Sequence, residues 1–139
     1  MKKVIKIIVP ILTVMIIGCV VLYFELTEPV HLDFTEKVQV NYQDGDKSAT
    51  ITDQEDINRL ITICKGKAVN DFSIPACGFG TVELKFEGKG KTVFLYPACD
   101  ACDSMRLGKA DTYFYCIGEE NRDELVNILL KYGVTFPCA

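Results

Sequence analysis

Val82-Glu83-Leu84-Lys85-Phe86-Glu87-Gly88-Lys89-Gly90-Lys91-Thr92-Val93-Phe94-Leu95-Tyr96 alternates apolar and polar side chains on both sides of a glycine-rich centre. It runs straight into Pro97-Ala98-Cys99-Asp100-Ala101-Cys102-Asp103. Two period-two runs around such a centre read as a β-hairpin. Pairing Phe86 with Lys91 sets Leu84 opposite Val93 and Val82 opposite Leu95. Extended outward, the same register puts Gly78 opposite Cys99, so that Cys77 arrives beside the Cys99-x-x-Cys102 pair.

On the C-terminal side, Met105-Arg106-Leu107 and Thr112-Tyr113-Phe114-Tyr115-Cys116-Ile117 are expected to form a further hairpin. That hairpin brings Cys116 towards Cys102 or Asp103. Glu119 to Tyr132 predicts a helix with an acidic first turn, a stripe of Leu125, Ile128, Leu129 and Tyr132, and Gly133 as its stop. Val134 to Cys138 reads as a short extended tail.

On the N-terminal side, Thr52-Asp53-Gln54-Glu55 has capping-box spacing, with Thr52 as the cap. Ile57, Leu60, Ile61 and Cys64 then fall on one helical face, and Lys65-Gly66 is the predicted stop. Val38-Gln39-Val40-Asn41-Tyr42 and the residues after Asp44-Gly45 predict a hairpin with Val40 opposite Ala49 and Val38 opposite Ile51. His31-Leu32-Asp33-Phe34 can open a strand, and Leu26 to Val30 reads as a linker. The order ββ-α-ββ-(β)β-α predicts an α+β domain: a small antiparallel sheet of five or six strands with two helices on one face.

Ile7 to Phe24 carries no charge over 18 residues, close to the ~20 a bilayer-spanning helix needs. Lys2, Lys3 and Lys6 precede it, and Glu25 and Glu28 follow it. This bias keeps the N-terminus in the cytoplasm and puts the rest outside the cell membrane. Residues 1–28 are therefore expected to be a signal anchor, and residues 29–139 an extracytoplasmic domain. Ile16-Ile17-Gly18-Cys19 also matches a bacterial lipobox with Cys19 as the lipidated residue, although Val20 to Phe24 continues the apolar run where a polar tether is needed. No A-x-A-like cleavage site follows the apolar core.

Of 15 basic and 19 acidic residues, three and two respectively lie within residues 1–28, which leaves 12 and 17 and a formal charge of −5 for the rest. An acidic domain with no basic stripe is a poor partner for nucleic acid. No G-x-S-x-G, S-x-x-K, H-E-x-x-H or phosphate-binding glycine loop occurs, and the single histidine, His31, lies beside the membrane exit. The expected role is binding or envelope-associated rather than catalytic, with no cofactor implied.

In an exported domain Cys64, Cys77, Cys99, Cys102, Cys116 and Cys138 read first as disulfide candidates, each bridge stabilising by about 2–4 kcal/mol. The hairpin register favours Cys77 with Cys99 or Cys102. Cys64 and Cys138 would tie helix and tail to the sheet, and Cys116 would take the remaining partner. A different class of role is thiol redox or metal handling by Cys99 and Cys102, with Cys77 and Cys116 as further thiols for a metal. If Val82, Leu84, Val93 and Leu95 face the helices, Phe94 and Tyr96 point the other way. With Tyr113 or Tyr115 beside them they would form a surface for an envelope protein or small ligand.

Thr92 to Cys102 resembles the strand-to-CxxC junction of thioredoxin-like oxidoreductases, which implies Cys99 as nucleophile and Cys102 as resolving thiol. That family starts a helix at the motif, whereas Asp103 to Gly108 is short and strand-like here, and Asp100 and Asp103 disfavour a thiolate. The succession Cys77-Gly78-Phe79, hairpin, Pro97-Ala98, Asp100-Ala101-Cys102 and aromatic strand resembles small exported or membrane-anchored proteins of Gram-positive bacteria. That resemblance implies a bridge from Cys77 to Cys102.

Overall fold

The computed structural model describes residues 2–42, 47–71, 76–100, 102–108 and 110–135. The chain forms α1 (Lys2–Glu25), β1 (Thr27–Val30), β2 (Lys37–Tyr42), β3 (Lys47–Ile51), α2 (Gln54–Cys64), β4 (Gly66–Asn70), β5 (Val82–Gly88), β6 (Lys91–Pro97), β7 (Ser104–Leu107), β8 (Tyr113–Cys116) and α3 (Glu119–Lys131). All strands join one antiparallel sheet of order β1-β4-β8-β7-β6-β5-β2-β3.

The sheet is larger than expected, with eight strands where the pattern of alternation gave five or six. The additional pair is β1 with β4, in place of the predicted linker and loop. Pro29 explains why β1 is hard to see, since it interrupts a four-residue strand and is tolerated because β1 lies at the edge. β4 begins at Gly66, the predicted helix stop, which has a role other than φ > 0. Tyr115 lies so close that a Cβ at Gly66 would meet its ring at 2.6 Å, while the Tyr115 hydroxyl donates to the Cys64 carbonyl at 2.6 Å.

The β2–β3 register is as read from the alternation, with Val38 opposite Ile51 and Val40 opposite Ala49. Its turn, Asp44-Gly45, lies outside the described residues. The β5–β6 register is displaced by two residues from expectation: Leu84 faces Leu95, Phe86 faces Val93 and Gly88 faces Lys91. The loop is two residues, Lys89 (φ 46°) and Gly90 (φ 72°), both left-handed as a type I′ turn requires. A shift of two preserves which side chains face the core.

One core cluster unites alternating residues of the sheet (Val38, Val40, Val82, Leu84, Phe86, Leu95, Met105, Tyr115) with α2 (Ile57, Leu60, Ile63, Cys64) and α3 (Leu125, Ile128, Leu129). The cap of α2 is Asp53 rather than Thr52, and it accepts from the amides of Glu55 and Asp56. At the other end of the domain α3 closes as a Schellman motif. Gly133 (φ 76°) donates to Leu130 and Val134 to Leu129, with Val134 fully buried.

Disulfide stapling is the second correction. Among the described residues no disulfide is formed, and Cys64, Cys77, Cys102 and Cys116 are thiols. Cys138 and the end of the tail lie outside the described residues. Burial of apolar surface from both helices and eight strands supplies the stabilisation that the bridges were expected to add.

Candidate metal centre

β6 ends at Pro97, whose missing N–H suits the last residue of a strand. The chain then turns back to enter β7, with the Ala98 amide donating to the Ser104 carbonyl at 2.9 Å. Inside that loop Asp100 Oδ1 accepts from the Cys102 amide at 3.0 Å, a side-chain-closed turn of the kind short acidic residues favour. The segment before β5 docks on it twice. The Cys99 amide donates to the Gly78 carbonyl at 2.7 Å, and the Gly78 amide donates to Asp100 Oδ2 at 3.3 Å. The expected meeting of Gly78 with Cys99 therefore occurs even though the hairpin register differs, because residues before Val82 leave the ladder.

These contacts bring Cys77 Sγ to 2.6 Å from Cys102 Sγ. A covalent S–S bond is ~2.05 Å, and the pair is unbridged; the bridge implied by the Gram-positive resemblance is not formed. With an Asp100 oxygen the two sulfurs form a cluster whose donor atoms all lie within 4.8 Å of one another, each residue partly exposed. This Cys/Asp/Cys cluster could coordinate a metal.

The groups tune one another. The adjacent Cys77 sulfur, then the Asp100 carboxylate that the thiol bonds, pushes the Cys102 thiol up to about 12. The Cys102 thiol and amide and the Gly78 amide hold Asp100 below its usual carboxylate range. At neutral pH the site thus sets an ionised Asp100 carboxylate beside a protonated Cys102 thiol, with the Cys77 sulfur next to both. Arg122 of α3 donates to the Asp100 carbonyl at 3.5 Å and brings one positive charge to the rim.

The other thiols lie elsewhere. Cys99 is buried, with its Sγ 3.7 Å from the Pro97 carbonyl, so Cys99 and Cys102 do not present a dithiol on one surface. The chain after Cys102 enters β7, so the helix of a thioredoxin-like site is replaced by a strand. Cys116 pairs with Ser104 in the ladder, next to the Ile117-to-Asp103 backbone bond, but its side chain is exposed and outside the cluster. Cys64, the last residue of α2, is fully buried, and burial pushes its thiol up to about 12. Cys19 is exposed in the C-terminal half of α1.

The four aromatics do not form one patch. Tyr115 and Tyr113 belong to the core side, Tyr115 buried and Tyr113 packed against the cluster. Tyr96 lies on the opposite face, half-buried. Its hydroxyl donates to Glu83 at 2.7 Å and the Arg106 guanidinium sits 4.5 Å from its ring centroid. Phe94 is half-buried against Gly108.

The cluster member that sequence reasoning passed over is Asp100. Its signal was present, an acid placed between two cysteines, but a loop carboxylate is ordinarily solvated. The Cys102 amide and the docked Gly78 amide fix its orientation, one on each carboxylate oxygen.

α1 contains one stretch, Ile8–Glu25, long and apolar enough to cross a membrane, with its side chains exposed. No protein-family model, curated protein or solved structure matches the chain.

Proposed function

We propose that this chain is a single-pass, membrane-anchored extracytoplasmic domain that binds a thiophilic metal cation of the Zn²⁺ class through Cys77, Asp100 and Cys102. The observation that carries the reading is the convergence of two sulfurs and a carboxylate within 4.8 Å. Thiolates select soft and borderline cations over Mg²⁺ or Ca²⁺, and three protein ligands leave a fourth position for water or a transferred ligand. Two thiolates and a carboxylate over-neutralise a divalent cation by one charge, and Arg122, which is also paired with Asp123 at 3.3 Å, is the cation at the rim. Tetrahedral coordination at Zn–S distances of ~2.3 Å places two sulfurs ~3.7 Å apart, so binding as two thiolates releases the thiol protons to solvent and spreads the pair. Outside the cytoplasm a bound cation also shields neighbouring thiols from oxidation.

The lysines in the first turns of α1 and the acidic residues Glu25 and Glu28 beyond its uncharged run support placing the domain outside the cell. The resemblance to small membrane-anchored proteins of Gram-positive bacteria supports an envelope setting. Zn²⁺ titration of the full chain, reduced and in detergent, tests the reading. One equivalent bound by the wild type and lost in both Cys77→Ser and Cys102→Ser supports it. Equal binding by all three chains contradicts it.

A further inference from the structure

Lys67 reaches from the folded domain back to the last turn of α1. Its Nζ donates to the Tyr23 hydroxyl at 2.6 Å and lies 4.0 Å from the Tyr23 ring centroid, and Tyr23 belongs to the membrane-length stretch Ile8–Glu25. There is no free linker between the two. The Leu26 amide continues the helix by donating to Leu22 at 2.9 Å, and Thr27 Oγ1 donates to the Tyr23 carbonyl at 2.8 Å. β1 starts at Thr27, while the Asn70 amide at the end of β4 donates to the Leu26 carbonyl at 2.8 Å.

Tyrosine at the end of a membrane helix sits at headgroup depth, and a lysine bonded to it shares that depth. Lys67 and Val69 alternate with buried Ala68, so both project from the outward face of β4. Val69 is 47% exposed and Leu26 39%; outside α1, Leu130 at 48% is the other large apolar side chain so exposed among the described residues. Two of these three therefore lie where the helix leaves the membrane.

We propose that the outward face of β4, Lys67 with Val69, and the adjoining Leu26 rest in the headgroup layer of the outer leaflet, with lipid phosphate as the counter-ion of Lys67. The domain is acidic overall, so a single lysine would not recruit it from solution. The covalent tether supplies the effective concentration that makes so small a contact sufficient. The face holds the domain in one orientation on the membrane. This inference rests on reading α1 as a membrane span and is independent of the metal.

The chain has no tryptophan, so an introduced one reports alone. Val69→Trp and Leu130→Trp full-length chains are reconstituted into phosphatidylcholine–phosphatidylglycerol vesicles whose acyl chains are brominated near the headgroup. The expected result is blue-shifted emission at position 69, quenched severalfold more than at position 130. Water-like, unquenched emission at position 69 from chains that remain vesicle-bound overturns the docked face but leaves the span intact. Failure of the chain to stay with vesicles overturns both. If Val69→Trp does not fold, Leu26→Trp probes the same face with the same two outcomes.

Discussion

Cys77 Sγ lies 2.6 Å from Cys102 Sγ, across 25 residues of chain. The contact is produced by two backbone-level docking bonds, Cys99 to Gly78 and Gly78 to Asp100, rather than by a sulfur–sulfur bond. On the proposed reading, the Cys102 proton is what an arriving cation must displace.

Metal affinity should therefore rise with pH. With the Cys102 thiol pushed up to about 12, each thiol proton released on binding makes the apparent affinity change by about tenfold per pH unit across the neutral range. Competition titrations against a chromophoric chelator at several pH values check this; a flat profile would exclude thiolate coordination. The same shift has a stability consequence. The folded Cys102 thiol ionises above its ordinary 9.0, so the metal-free domain loses stability as pH rises from 9.0 towards about 12.

Asp56 is the buried acid of the fold, accepting from Lys131 Nζ and Tyr132 Oη, each at 2.6 Å. The Lys131 bond, then the Tyr132 bond, lowers its pKa below the ordinary 3.8 despite burial. Its contribution is present above that value and is lost as pH falls through the lowered folded value. Asp56→Ala should cost about 1–3 kcal/mol in urea denaturation at neutral pH and flatten the acid limb of the stability profile.

Gly66 and Tyr115 form a matched pair in which the missing Cβ admits the ring. Gly66→Ala should destabilise by about 1–3 kcal/mol through displacement of Tyr115. Tyr115→Phe should cost about 1 kcal/mol through loss of the bond to the Cys64 carbonyl. Because both act on one ring, the double substitution should cost less than the sum, as equilibrium unfolding of the four chains will show.

The residues that could be read in advance were those whose pattern has one solution. Val38 and Val40 admit a single inward face, and the stripe Leu125-Ile128-Leu129 admits a single helix. β1 and β4 escaped because each has one neighbour that masks it, Pro29 in the first and Gly66 in the second. Gly66 looked like a helix stop when it is a seat for an aromatic ring 49 positions away in the chain. The displaced β5–β6 register has a similar origin, since Lys89 at φ 46° takes a conformation its identity does not advertise. The cluster was half legible: the alternation brought Cys77 to the CxxC loop, but exchanging Cys99 for Asp100 depended on how the loop turns.

The Lys89-Gly90 turn gives a clean check of that register. Lys89→Asn should stabilise the domain by a few tenths of a kcal/mol, since Asn tolerates the left-handed region better. Gly90→Ala should destabilise it by about 1 kcal/mol. Thermal melts of the two chains should move in opposite directions; a four-residue loop would leave both near wild type.

The central claim is that Cys77, Asp100 and Cys102 act together on one cation. Cobalt(II) titration of the reduced full-length chain tests it most directly, because thiolate-to-cobalt charge transfer reports sulfur ligation by absorbance. The account predicts a band that saturates at one equivalent, vanishes in Cys77→Ser and Cys102→Ser, weakens in Asp100→Asn, and persists in Cys116→Ser. It would be contradicted by a reduced wild-type chain that gives no band, or by a band that survives loss of both Cys77 and Cys102.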